Sequence, residues 1–251
     1  MQRKDDNGIH WLEFDLLTDI PRLKHGVFLR LGGFSQEPYD SLNLSDTVGD
    51  NFDDVLQNKQ AVANVLNIHP SNLITMCQCH GNQIFQATAP FKHEPECDAL
   101  TTTVPGIGLM ARHADCQAAI LYDPIHHAVA TVHSGWRGSA QNIYSKTIQF
   151  MQMNYQTNPN DLLVGISPSL GPLDAEFIHY RTELPESFWD FQVVPNYFDF
   201  WAISRDQLER CGVLPHHIEI AGISTFAYPD EYFSYRRRKM TGRNGTIAVL
   251  G

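Results

Sequence analysis

Two apolar runs on either side of a tight polar turn constrain this chain most. Ile107, Leu109 and Met110 lead into Asp115 and Cys116, and residues 128–132 lead into His133. Runs of roughly four to eight β-prone residues bounded by Gly, Pro and Asp have the signature of buried strands. The turn at 123–127 is short enough to make the two segments neighbours, so that Cys116 and His133 fall side by side at one edge of a sheet. Directly afterwards, Gly135 and Gly138 bracket Trp136 and Arg137. Ser139 then occupies the place of a helix N-cap, with Ala140, Ile143, Tyr144, Thr147, Ile148 and Met151 at helical spacing on one face. A glycine-containing turn entering a helix offers free N–H groups and a positive dipole end, which makes Arg137 a candidate anion contact. The glycine–lysine pattern of a P-loop is missing, so a nucleoside triphosphate is not implied.

With 251 residues, 43% of them hydrophobic, the chain can bury a sizeable core. It is expected to form one domain over 1–251, with 1–24 as an N-terminal extension or edge strand. A formal net charge of −10 disfavours nucleic acid or an anionic membrane as the main partner. The five cysteines are odd in number and follow no repeating frame. No apolar segment follows the polar N-terminus, and no apolar run approaches the roughly 20 residues a bilayer span requires. The expectation is a soluble, reduced, cytoplasmic protein.

Along the chain, strands are expected near residues 9–14, 25–33, 73–81, 162–166 and 218–223. Helices are expected from Asp50 and Asn51 to just before His69 and Pro70, and over 199–211. Strands outnumber helices and the two do not strictly alternate, which predicts an α+β unit of mixed sheets with packed helices.

His80, Cys116 and His133 each stand at the polar end of a β-like run. Two imidazoles and a thiolate suit Zn²⁺, and three protein ligands leave a fourth position open. Without a metal, the same residues suit a nucleophilic Cys116 with His133 as base and Asp115 or Asp98 orienting it, for amide hydrolysis or deamidation. Taken singly, a His or Cys of this kind is more often a satisfied core or turn residue. Cys77 and Cys79 are assigned to packing, since neighbours along a strand face opposite sides. Arg30, beside Gly32 and Gly33, and Arg137 are the better anion candidates, because glycine lets a ligand approach the backbone. The run Arg236, Arg237, Arg238, Lys239 suits a solvated face or an anionic substrate equally. Tyr235 and Phe34 can stack on a flat ring, although aromatics more often fill the core.

Several stretches together resemble a known family: 26–33, Ser41 to Leu44, Gly49–Asp50, Gln78 to Gly81, 97–101, Ala114 to Cys116, His133 to Gly138, 165–172 and Phe233 to Arg237. In that order they are similar to the bacterial laccase-domain family, long labelled multicopper polyphenol oxidoreductases and understood as zinc-containing purine nucleoside phosphorylases that can also deaminate adenosine. The resemblance implies an α+β sandwich distantly similar to cysteine-dependent deamidases. It implies an enzyme with His80, Cys116 and His133 as metal ligands and catalytic centre, and with zinc as cofactor, copper being the alternative. The implied partners are phosphate and a purine nucleoside (adenosine, inosine or methylthioadenosine), held by residues drawn from Arg30, Asn43, Arg137, Arg236 and Arg237. Asp98, Asp115 and Glu176 are the candidate proton donors. The chain departs from the family pattern where Leu173 and Asp174 replace a cysteine pair, and at Ser224 and Arg238. These departures leave the triad intact and weaken any reading that needs further sulfur ligands. Twelve histidines without one His-x-His pair do not furnish several copper centres. A laccase-type oxidase, a metal-free Cys–His hydrolase and an inert binding module remain the alternatives.

Overall fold

Two six-stranded sheets pack face to face, and a helix or helix pair covers the outer side of each. The computed structural model describes residues 1–91 and 93–251. The chain opens with the hairpin β1 (Gln2–Asp6) and β2 (Ile9–Glu13), a single turn α1 (Asp15–Thr18), and β3 (Leu23–Phe28). After a long loop comes α2 (Phe52–Val65), whose N-cap Asn51 accepts from the N–H groups of Asp53 and Asp54. Short strands β4 (Leu73–Ile74), β5 (Ile84–Gln86) and β6 (Ala99–Thr102) lead to three long ones, β7 (Gly108–His113), β8 (Gln117–Asp123) and β9 (Ala128–Ser134). Then follow α3 (Trp136–Ala140), α4 (Ile143–Tyr155), β10 (Leu163–Ile166), α5 (Tyr180–Glu183), the small hairpin β11 (Gln192–Val194) and β12 (Tyr197–Phe198), α6 (Phe200–Arg210), β13 (Ile218–Ile220) and β14 (Asn244–Leu250).

The first sheet runs β1-β2-β3-β14-β7-β4 and the second β13-β10-β8-β9-β6-β5, both with mixed parallel and antiparallel pairs. The period of two along each strand builds the layers. Leu109, Ala111, Ala248 and Leu250 of the first sheet meet Ala118, Ile120, Tyr122 and Val129 of the second in one buried core. The alternate residues Met110, Ile247 and Val249 face α2, where Val62 and Leu66 cover them. On the far side, Ala119, Leu121, Ala130 and Val132 lie under Ile143, Ile148 and Met151 of α4 and Leu208 of α6. Strands covered on both faces lose their polar alternation, which is why 107–111, 118–122 and 128–132 look almost continuously apolar. Among the described residues no helix is long and apolar enough to cross a membrane.

Four local expectations are corrected. The 73–81 segment is a strand only over Leu73–Ile74, and beyond it Cys77 makes one isolated bridge, to Glu96. Cys77 and Cys79 are exposed rather than packed. No single helix opens at Ser139; α3 stops at Ala140, and α4 restarts behind Asn142, whose side chain accepts from the Ser145 N–H. Finally, β1 and β14 are additional strands, and β14 lies in the middle of the first sheet between β3 and β7.

Candidate metal centre

The site forms where the chain crosses between the sheets. Strand β7 belongs to the first sheet and β8 to the second, so Ala114, Asp115 and Cys116 carry the crossing. Asp115 sits at φ 96°, a left-handed conformation uncommon for a residue with a Cβ and costing on the order of 1–3 kcal/mol. Contacts from two loops, the one after β10 and the one between β13 and β14, hold it there. Its carboxylate accepts from Thr225 Oγ1 at 2.8 Å and from the Arg236 N–H, and its carbonyl accepts from the Leu170 N–H at 2.9 Å. The turn delivers Cys116 just ahead of β8, where the register Ala118↔His133 sets it beside His133 on β9. These are neighbouring central strands, so the pair stands at a strand end and not at a sheet edge.

His80 arrives from the irregular segment that replaces the expected strand, also in a left-handed conformation at φ 59°. The wholly buried Asp98 fixes it. Asp98 accepts from the N–H groups of Cys79 (3.2 Å), His80 (3.0 Å) and Gly81 (2.7 Å) and from the Cys79 thiol at 3.1 Å. Its Oδ1 also lies 2.8 Å from His133 Nδ1, which orients that ring and leaves Nε2 as the ligand atom. One carboxylate thus positions both imidazoles.

The ligand atoms of His80, Cys116 and His133 all lie within 4.8 Å of one another; Cys116 Sγ is 4.0 Å from His80 Nε2, and the imidazoles meet edge to face at 86°. Tetrahedral zinc, with bonds of about 2.3 Å to sulfur and about 2.0–2.1 Å to nitrogen, separates its donors by about 3.3–3.8 Å. The group therefore fits a metal after a small contraction, and it is the one such cluster found among the described residues. Gly135 makes room for it, because a Cβ there would stand 2.8 Å from the His80 ring and 3.2 Å from Cys116 Sγ. Burial pushes the Cys116 thiol up, but the charge and hydrogen bond of His133, with help from His80, outweigh it and bring the thiol well below its ordinary value. Burial opposes charge on His133 too, yet the Cys116 thiolate and Asp98 raise it. Asp98 is held low against its own burial, chiefly by His133. A thiolate flanked by imidazoles is a ready ligand for a divalent cation.

Two cavities meet at Cys116. One, of about 430 Å³, is walled by Trp136, Phe177, Ile178 and Phe200, with Glu176 and Arg236 among its polar groups. The other, of about 520 Å³, contains His80 and His133 and is lined further by Ser45, Arg112, Tyr235 and Arg243.

The structure brings His80, Cys116 and His133 together and adds Arg236, whose Nη2 donates to the Glu176 carbonyl. It brings none of Arg30, Asn43, Arg137 and Arg237 to either cavity. The Arg30 guanidinium is occupied by the Asp40 carbonyl and carboxylate and the Pro229 carbonyl. Asn43 is wholly buried and bonds Ser45, Asp50 and the Arg243 N–H. The exposed Arg137 lies over its own neighbour Trp136 at 4.9 Å. Arg237 clamps the carbonyls of Thr225, Phe226 and Tyr232. Arg112 and Arg243 are the cavity cations that sequence reasoning missed. Arg243 follows Gly242 directly before β14, so it carries the same neighbouring glycine that singled out Arg30.

Comparison with known proteins places the chain among relatives of similar sequence and fold. A purine nucleoside phosphorylase of Bacteroides thetaiotaomicron is 29% identical over 244 residues, covering 90% of each chain. The purine nucleoside phosphorylase YfiH of Escherichia coli is 30% identical over 88% of this chain and 91% of its own. Among solved structures, YlmD of Geobacillus stearothermophilus superposes with a TM-score of 0.88 at 26% identity over 98% of this chain and 97% of that one. Bacillus licheniformis YfiH gives 0.88 at 23%, covering 99% of each, and shares the fold. The family model described as multi-copper polyphenol oxidoreductase laccase matches residues 24–251, a span holding both sheets except the β1–β2 hairpin and the β3 residue Leu23, and all of His80, Cys116 and His133, and the chain belongs to that family.

Proposed function

We propose that the protein is a cytoplasmic, zinc-dependent purine nucleoside phosphorylase that acts on adenosine, inosine and methylthioadenosine and also deaminates adenosine. The observation that carries the reading is the meeting of an apolar, aromatic cavity and a polar, cationic one at a three-ligand His–Cys–His group. The names of the Bacteroides and Escherichia relatives support the substrate class.

In phosphorolysis a phosphate oxygen bonds to C1′ of the ribose as the bond from C1′ to the purine nitrogen breaks. The bonding pair leaves on the base, which takes up a proton. The aromatic cavity suits the base, since Trp136, Phe177 and Phe200 offer flat apolar surface and exclude water from the departing ring. Glu176, half-buried in that wall, is the proton donor, because Asp98 and Asp115 are committed to holding His80, His133 and the Cys116 turn. Zinc held by His80, Cys116 and His133 would supply Lewis acidity and acidify a water at its open position. In deamination the same aromatic wall holds the ring while water replaces the amino group and ammonia leaves.

One observation favours a second reading. Cys116, His133 and Asp98 also form a thiolate–imidazole–carboxylate relay that would serve a metal-free hydrolase. A laccase needs further copper sites, and the described residues hold one ligand cluster. Incubating purified protein with adenosine and phosphate and separating the products decides between these. Adenine and ribose 1-phosphate that accumulate only with phosphate are expected. Release of base that ignores phosphate, or no release, would contradict the proposal.

A further inference from the structure

The polar cavity contains one cation with donors to spare. Arg112 is neutralised, its guanidinium bonding the carboxylates of Asp46 at 3.0 Å and Glu94 at 2.8 Å. Arg243 differs. Its Nη1 donates to the carbonyls of Thr241 and Gly242. Among the described residues, Nε and Nη2 have no protein partner and no carboxylate pairs with the group. An arginine edge with Nε and one Nη free is the arrangement that grips two oxygens of a phosphate or carboxylate at once.

The surroundings hold that edge still. Asn43, wholly buried, accepts the Arg243 N–H on Oδ1 at 2.9 Å while its amide bonds Asp50 at 2.8 Å, which ties the start of β14 to the loop ahead of α2. Tyr235 lies beneath the guanidinium with its ring centre 5.8 Å away. Ser45 and Tyr235 add hydroxyls to the same wall, and Cys116 and His133 complete it.

We propose that this cavity is an anion subsite in which Arg243 grips the phosphate co-substrate through Nε and Nη2, on the opposite side of Cys116 from the aromatic cavity. The site itself follows from the unpartnered guanidinium; naming its anion as phosphate rests on the phosphorylase reading. Asn43 acts here as a positioning residue, through the Arg243 backbone.

The test is calorimetric titration of metal-loaded protein with inorganic phosphate and, separately, with inosine, for wild type, Arg243→Gln and Arg243→Lys. Loss of a charge-assisted contact is typically about 1.5–3 kcal/mol, or about 10- to 150-fold. Arg243→Gln should weaken phosphate by that factor while inosine affinity and metal content stay unchanged. Arg243→Lys, which keeps the charge but not the two-point grip, should fall between. If Arg243→Gln does not fold, the lysine variant alone decides. Phosphate affinity unchanged in the variants, equal weakening toward both ligands, or no phosphate binding by wild type would overturn the site. Phosphate bound through Arg243 by a wild-type protein that releases no base would uphold the site and overturn the phosphorylase reading.

Discussion

The two cavities that share Cys116 are built from different parts of the chain and differ in kind. The aromatic one is walled by the stretch around Ser169 to Phe200 together with Trp136, and much of its surface is side-chain ring. The cationic one draws on the Ser45 loop, the end of β7 and the start of β14, all fixed by hydrogen bonds between sheets and loops. A flat apolar group and an anion would be recognised by separate walls and brought together only at the metal centre. Binding energy from the two sides can then be altered separately, and only residues beneath the shared ridge should disturb both.

Asp98 is such a residue, and changing it should have the largest effect. Asp98→Asn keeps the shape but weakens the bonds that orient His133 and hold the His80 turn. Partners of this kind typically contribute about 10- to 100-fold in metal affinity. Competition with a chelating dye should show a drop of that order, with both ligands weakened together. A variant with normal metal affinity would break the link between Asp98 and the centre.

Phe177→Ala should have a smaller, one-sided effect. Phe177 packs against Trp136 and Phe200 at ring distances of 6.1 and 5.3 Å. Removing an aromatic wall typically costs about 0.5–1.5 kcal/mol toward a stacked ligand, or roughly 2- to 13-fold. Steady-state kinetics should show that rise in nucleoside KM with the phosphate KM unchanged. A matched rise in both would mean that the cavities are not independent.

Much of the framework was legible in the sequence. The β8–β9 hairpin, α2 with its Asn51 cap, and α6 with its Asp199 cap follow from apolar spacing and capping residues. The triad was legible as well, because His80, Cys116 and His133 each follow a strand-like run. The route by which they converge was not. Asp115 and His80 adopt left-handed backbone that only long-range contacts to Thr225, Arg236 and Asp98 maintain, and no local pattern encodes those contacts. Arg30 and Arg137 fall outside both cavities for a related reason. Glycine beside Arg30 and Arg137 suggested ligand access, yet one guanidinium is bound by Asp40 and the other rests on Trp136. Whether an arginine is free depends on which carbonyls and carboxylates surround it in space. Asn43 shows the same limit, since a motif can mark a residue without saying that its side chain is taken up by Ser45, Asp50 and the Arg243 N–H.

The central claim is that Cys116 is a ligand and not an exposed nucleophile. Iodoacetamide labelling at Cys116, followed by mass spectrometry alongside elemental analysis and adenosine turnover, tests it most directly. One zinc per chain is expected, with Cys116 protected from alkylation as isolated. After chelation the thiolate should label rapidly, its ionisation favoured by His133 and His80. Activity should vanish on chelation and return with zinc when the cysteine has not been alkylated. Rapid labelling of Cys116 in metal-free protein that remains fully active until it is labelled would contradict the account.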